Sequence, residues 1–452
     1  MTSTDPLARA ALAASRFGLG ARPTTLQDIA SDPRGALVEE LTTGWIRRLR
    51  GADLVDPAQA AATGVSGSFT DYEGINRAET VAAFNKRVYA PVGFFERLVM
   101  FWSNHFNLSV EKASLVRAMR GVIERCVIRG LATGRFDRLL IALLTQPAML
   151  CYLDNQESIG PNSLIGLRRG AGVNVNLARE ILELHTLGYG AGYSEGDILQ
   201  MAYVLSGHSY VRGWEADRNL NGGSDATRGQ YIFRSDWHEA GPRRVLGRRY
   251  TGREGQLTAV LTDLARHPAT AQHLAFKLVQ HFLTDAPTPA MVDPIARAYL
   301  DSEGDLMQAA LALIDLPQAW TLPQTKLRTP YELLVAQARA LNRTWHDDDL
   351  WLLLQILDAL GHRPGYWETP DGYPDDTAHW LSPNGLRVRG DGLQKATQIL
   401  LARAPLTLPP RRLAARVLGP AQSAETAAAV RSAADPVQAL TLLFMAPEFQ
   451  RR

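Results

Sequence analysis

Apolar residues recur at the three-to-four-residue spacing of a buried helix face along most of this chain. The pattern predicts helices over residues 24–32, 33–50, 76–90, 92–106 and 115–129. It repeats over 136–150, with a break at Pro147. A helix over 174–187 ends at Gly188, the residue type that accepts a left-handed C-terminal conformation. The next helix, 194–206, opens with Ser194 and Asp197 placed as a capping box. Helical spacing returns over 254–266, 269–284, 289–301, 306–313, 330–341 and 347–360. Short helices are expected in the remainder.

Three stretches depart from this pattern. Residues 63–71 are rich in Gly, Ser and Thr and read as a loop. Residues 211–253 carry many Gly, Asn, Asp and Arg, and within them 230–234 and 244–250 are expected to pair as a two-stranded hairpin. Residues 362–383 are dense in Pro, Gly and aromatic residues. Loops of this length inside a compact helical protein usually form lids or binding walls. The expected fold is mainly α: a single large helical domain over 1–452, with an irregular hairpin insertion at 209–253 and two long loops. No repeat of fixed period occurs, which excludes a solenoid.

Composition narrows the function classes. The 452 residues are 46% hydrophobic and 21% charged, ordinary for a globular protein, and the net charge of +2 gives no field to attract nucleic acid. Lys86, Lys112, Lys277, Lys326 and Lys395 are the only lysines, so arginine supplies most of the positive charge. That bias points to a GC-rich genome. Cys126 and Cys151 are too few for a disulfide framework or thiolate cluster and read as buried free thiols. No apolar run approaches the length of a membrane span. The N-terminal stretch lacks the charged and apolar regions of a leader, so the chain reads as cytoplasmic as written, or exported if a leader has been removed.

Candidate chemistry concentrates in NVNLAREILELHTLG, residues 174–188, which sets Asn176, Arg179, Glu180, Glu183 and His185 into an apolar run. Buried polar groups are costly unless paired or used. Arg179 and Glu183 are i,i+4 neighbours and can pair with each other. Glu180 has no such partner, which makes it the stronger acid–base candidate. His185 sits in the last turn, where an imidazolium suits the helix dipole.

Three further segments add candidates. FWSNHFN, residues 101–107, offers His105 with Trp102 and Asn104, against the reading of His105 as a core residue. SDWHEAG, 235–241, offers His238, with Asp236 or Glu239 to orient it. WETPDGYPDDTAHW, 367–380, interleaves Asp371, Tyr373 and Trp380 as a sugar-binding wall would, although Pro370-Asp371-Gly372 is also a plain turn signature. Asp154 and Asn155 sit just past a helix end, as substrate contacts or as caps. The acid–base set is then Glu180, Glu183, His105 and His238, with Arg179, Asn176, Asn104, Trp102, Asp154, Asp371, Tyr373 and Trp380 contacting substrate. A divalent metal is the alternative, on His105, Glu180, His185 and His238. No HExxH, nucleophile elbow, phosphate loop or dinucleotide fingerprint occurs.

At these residues the chain resembles the bacterial domain-of-unknown-function family numbered 1800. The resemblance runs through SRFGLGARP (15–23), FWSNHF (101–106), QPAMLCYLDN (146–155), NLAREILELHTLG (176–188), YSEGDI (193–198), HEAGPRRVLG (238–247), FKLVQHF (276–282) and PDGYPDDTAHWLSP (370–383). Where that family has Asn-Glu-Asn this chain has Asn174-Val175-Asn176, one acidic residue fewer. Where it has Thr-Gly-Trp, this chain has Ser206-Gly207-His208, which adds a possible ligand or base. The resemblance implies an exported protein, a sulfatase-like partner and envelope or polysaccharide chemistry.

Three functions follow as expectations: an enzyme acting on a small-molecule or polysaccharide substrate by carboxylate and histidine acid–base chemistry, a metal-dependent hydrolase or oxidoreductase using the same groups, or a non-catalytic envelope scaffold.

Overall fold

The computed structural model describes residues 5–51, 53–220 and 223–452. Helix takes 62% of the chain and strand 4%, so the fold is mainly α. One cluster of buried apolar side chains draws on residues from Ala10 to Phe449. Among the described residues no helix is long and apolar enough to cross a membrane.

The first helix, Pro6–Arg16, starts where Asp5 accepts from Leu7 N at 2.9 Å. Its Ala10, Ala13 and Ala14 face is wholly buried, and small side chains let neighbouring backbone close in. A Cβ on Gly18 would lie 2.6 Å from the Ala14 carbonyl oxygen, so only glycine fits there.

Buried charges hold the central helices by their ends. Glu40, on the helix Pro33–Thr42, accepts from Val92 N (2.6 Å), Gly93 N (2.8 Å) and Phe94 N (2.6 Å). These are the free N–H groups that open the helix Phe94–His105. Arg339 donates to the carbonyls of Gly20, Arg87, Val88 and Ala90, closing the helix Phe69–Tyr89. Arg16 does the same for Ala319 and Leu322, both at 2.7 Å. A guanidinium carries five donors in one plane, and lysine cannot replace it in such multiple caps. Part of the arginine bias thus has a structural use.

The structure corrects several local expectations. Residues 63–66 are helical: Asp56 accepts from Ala58 N and Gln59 N, Pro57 follows, and the helix Pro57–Ser66 runs through the Gly and Thr positions. Residues 383–403 form a 21-residue helix, Pro383–Arg403, rather than short pieces. Cys151 is buried but Cys126 is exposed; both are free. Cys126 lies in a π-turn, Glu124–Ile128, and faces outward from it.

The two strand-like runs do not pair with each other. β1 (His208–Tyr210) pairs antiparallel with β2 (Tyr231–Phe233). β3 (Arg243–Val245) folds back on β4 (Arg248–Tyr250) through Leu246 and Gly247, both at positive φ (47° and 75°). Two consecutive left-handed residues make the tight turn whose twist suits a hairpin. The Ser194–Asp197 capping box forms as expected, and Asp197 also accepts from Leu246 N at 2.7 Å, tying this hairpin to the helix Glu195–Leu205.

Candidate functional site

The polar segment forms a short α-helix, Asn176–Glu180, that runs into a π-turn, Ile181–His185. Asn174 Oδ1 accepts from Asn176 N at 2.8 Å and starts it. A π-turn widens the helix by one residue and frees carbonyl groups, and such turns occur frequently at functional sites. Here every freed group that matters finds a side chain. Thr186 Oγ1 donates to Ile181 O at 2.6 Å. His273 Nε2 donates to Leu184 O at 3.1 Å, and His105 Nε2 to His185 O at 3.2 Å. His105 Nδ1 in turn accepts from Lys277 Nζ at 3.1 Å. Gly188 follows at φ 90°, left-handed, but it does not cap the helix: the π-turn ends at His185, with Thr186 as its C-cap.

Glu180 and Glu183 lie three residues apart on this element, and Asp371 from the loop 362–383 faces them. Partial burial pushes the Glu180 carboxyl up to about 7, and the negative charges of Glu183 and Asp371 add to the effect. Three tyrosines surround the carboxylates. Tyr152 and Tyr189 both feel the charges of Glu180 and Asp371, and Tyr193 hydrogen-bonds Glu183. Tyr189 is 72% exposed and Asp371 is exposed, so the cluster opens to solvent. Asp371 is held by Trp367 Nε1 (3.2 Å) and by the Thr369 hydroxyl. The loop itself is anchored from below: Asn107 Nδ2 donates to Trp367 O and Thr369 O, and Tyr152 donates to Glu368 O at 2.6 Å.

The other sequence-predicted residues have the following places. Arg179 pairs with Glu183 (3.1 Å) and with Glu195 (2.8 Å), so its charge is already spent within the protein. Asn176 is exposed at the start of the helix. Asn104 Oδ1 accepts from Tyr373 N and its Nδ2 donates to Tyr373 O, both at 2.8 Å, which makes it a clamp on the loop. Trp102 is a core residue, 1% exposed, with its indole N–H on Ala132 O. Tyr373 and Trp380 are taken up by the protein rather than set out as a wall: Tyr373 meets His362 edge-on, Trp380 packs on it at a tilt, and Trp380 Nε1 donates to Pro374 O. Asp154 pairs with Lys112 at 2.7 Å, while Asn155 is buried and donates to Leu205 O and His208 O.

The histidines do not converge as one set. His105 is buried beneath the Glu180 element, and burial with the Lys277 charge holds it neutral. His185 carries no helix-dipole charge, because burial drives its pKa down to about 3; its ring packs on Phe106. His238 lies elsewhere, with Nδ1 on Ser206 O (2.8 Å) and its ring beside Phe233 and His208. Neither Asp236 nor Glu239 orients it, since Glu239 binds Asn162 N and Nδ2 instead. Among the described residues no three His, Cys, Asp or Glu side chains stand together as metal ligands, so the ligand set His105, Glu180, His185 and His238 is not assembled.

The motifs FWSNHF, QPAMLCYLDN, NLAREILELHTLG, FKLVQHF and PDGYPDDTAHW thus meet around one loop and one helix end. A family model matches residues 12–451, that of the protein of unknown function DUF1800. The chain belongs to the DUF1800 family. No curated protein and no solved structure matches it. Several site residues of this DUF1800 member escaped the periodicity reading: Lys277, His273, Tyr152, Tyr189 and Tyr193. Lys277 had two signals, its rarity in an arginine-rich chain and its place in FKLVQHF.

Proposed function

We propose that this protein is a hydrolase acting on a polar, carbohydrate-type substrate, with Glu180 as the general acid. The observation that carries the reading is the Glu180 carboxyl raised to about 7 beside two further carboxylates on an open face. A carboxylic acid that keeps its proton near neutral pH can protonate a leaving oxygen. A second carboxylate opposite it can activate water or attack directly, the division of labour of glycoside hydrolysis. Asp371 takes that second role, because Glu183 is tied by Arg179 and Tyr193. Tyr189, 72% exposed, supplies phenol and ring contacts suited to a polyhydroxylated substrate, while Tyr152 anchors the loop from below. His105 and Lys277 act from below, by fixing the helix end that carries Glu180.

Native protein screened against a panel of polysaccharides and aryl glycosides tests this, with Glu180→Gln as the control. Turnover by the native chain that is lost in Glu180→Gln supports the reading. Activity retained in Glu180→Gln overturns it. The family resemblance adds an exported setting and a sulfatase-like partner to this proposal, which co-purification from a native membrane-and-envelope fraction checks.

A further inference from the structure

A second polar site lies on the other side of the same loop. Here the helix Ser114–Ile123, the helix Pro330–Leu341 and residues 362–375 enclose a cavity of about 70 Å³. Its wall includes Arg87, Arg120, Glu124, Tyr331, Glu332 and Asp375. Each carboxylate there has its own partner. Glu124 Oε1 accepts from Arg87 at 2.6 Å. Glu332 is paired with Arg97 (3.3 Å) and Arg452 (3.1 Å). Asp375 accepts from His281 Nδ1 at 2.6 Å.

Arg120 is left over. Among the described residues nothing accepts a hydrogen bond from its part-buried guanidinium, and no carboxylate forms an ion pair with it, although the charge of Glu124 acts on it from the same wall. Gly365 has no side chain, and a Cβ there would run into Arg120 Nε, so glycine leaves the guanidinium its room. Beside it, the Tyr331 hydroxyl oxygen accepts from Arg87 Nη1 at 2.6 Å, which leaves its own proton free to donate. The wall itself carries two guanidinium groups, those of Arg87 and Arg120, and its three carboxylates each have a partner other than Arg120. A part-buried guanidinium without a hydrogen-bond partner is left unsatisfied on its protein side, and a planar or tetrahedral oxyanion is its natural complement.

We propose that this cavity binds a small oxyanion, a carboxylate or phosphate group, on the Arg120 guanidinium and the Tyr331 hydroxyl. The anion would sit under the loop whose outer side carries Asp371, independently of any reaction at Glu180. The same chemistry serves a free ion or the acidic end of a larger molecule.

The test is thermal unfolding of the full chain at constant ionic strength, titrated separately with sodium phosphate and sodium acetate against sodium chloride. A ligand of the folded state raises Tm in a saturable way. A saturable rise is expected with phosphate or acetate, and which of the two acts tells tetrahedral from planar recognition. Arg120→Gln should weaken that apparent affinity by about tenfold or more. Tyr331→Phe, which keeps the ring and removes one donor, should weaken it by roughly three- to tenfold. Should Arg120→Gln not fold, Tyr331→Phe and a selenate soak of native crystals decide: anomalous density between Arg120 and Tyr331 is expected. No saturable response to either anion overturns the proposal. So does unchanged affinity in the folded variants, or a soak with no density in the cavity.

Discussion

Lys277 Nζ stands 3.1 Å from His105 Nδ1, and His105 Nε2 stands 3.2 Å from the His185 carbonyl oxygen. The carbonyl can only accept, so Nε2 carries the proton and Nδ1 receives the lysine's hydrogen bond. Two buried groups thus fix one tautomer and close the end of the helix that presents Glu180 and Glu183. The ring that looked like a catalytic base in the sequence is a support for the carboxylates.

This relationship is visible by nitrogen NMR. Burial and the Lys277 charge lower the His105 pKa well below its usual value. Its imidazole signals are expected to stay in the neutral Nε2–H form through the range in which a free imidazole titrates. A titration with a midpoint near 6.5 would contradict the chain described above.

Glu180→Gln keeps shape and removes the transferable proton. Turnover of whatever substrate the native chain accepts is expected to fall by about 10²–10⁴, with Tm shifted by only a few degrees. Among the described residues no basic side chain is bonded to Glu180, so no buried cation is orphaned by the change. A large drop in Tm with unchanged turnover would assign Glu180 to structure.

The pH dependence has a definite sign. The Glu180 carboxyl moves from its ordinary 4.5 to about 7 in the folded chain, so the folded state holds this proton more tightly than the unfolded one. Its contribution to stability is fully present below about 4.5 and is lost as pH rises through about 7. Turnover that needs the protonated acid should decline above about pH 7. Denaturant titrations of native and Glu180→Gln protein from pH 4 to 8 check the first point: the variant should lose the decline over that window.

Glu40→Gln probes the fold rather than the site. The carboxylate accepts from several N–H groups at the start of the Phe94–His105 helix, and an amide cannot accept with both of its heads. Chemical denaturation should show a loss of about 1–3 kcal/mol. A neutral result would mean the helix start is satisfied without it.

Helical periodicity alone determined the fold class, most helix positions and the polar helix that carries Glu180, because an apolar stripe at helical spacing has one low-energy use, burial against a core. Capping chemistry was equally local: Ser194 and Asp197 form the box their side chains require. Pairing that spans the chain was not readable. An even helical wheel cannot show the π-turn at Ile181–His185, which depends on His105, His273 and Thr186 reaching its carbonyls. The sequence offers Trp380 and Tyr373 as a binding wall, but both rings pack against His362 and Trp380 is buried. His238 and Glu239 are neighbours in sequence, yet they bond Ser206 and Asn162, because their side chains leave that loop in different directions. Burial first, then the charges of Glu183 and of Asp371, raise the Glu180 carboxyl, and Asp371 lies far from Glu180 in the chain. Charge–charge and burial effects of that kind act through space, and only the tertiary structure decided them.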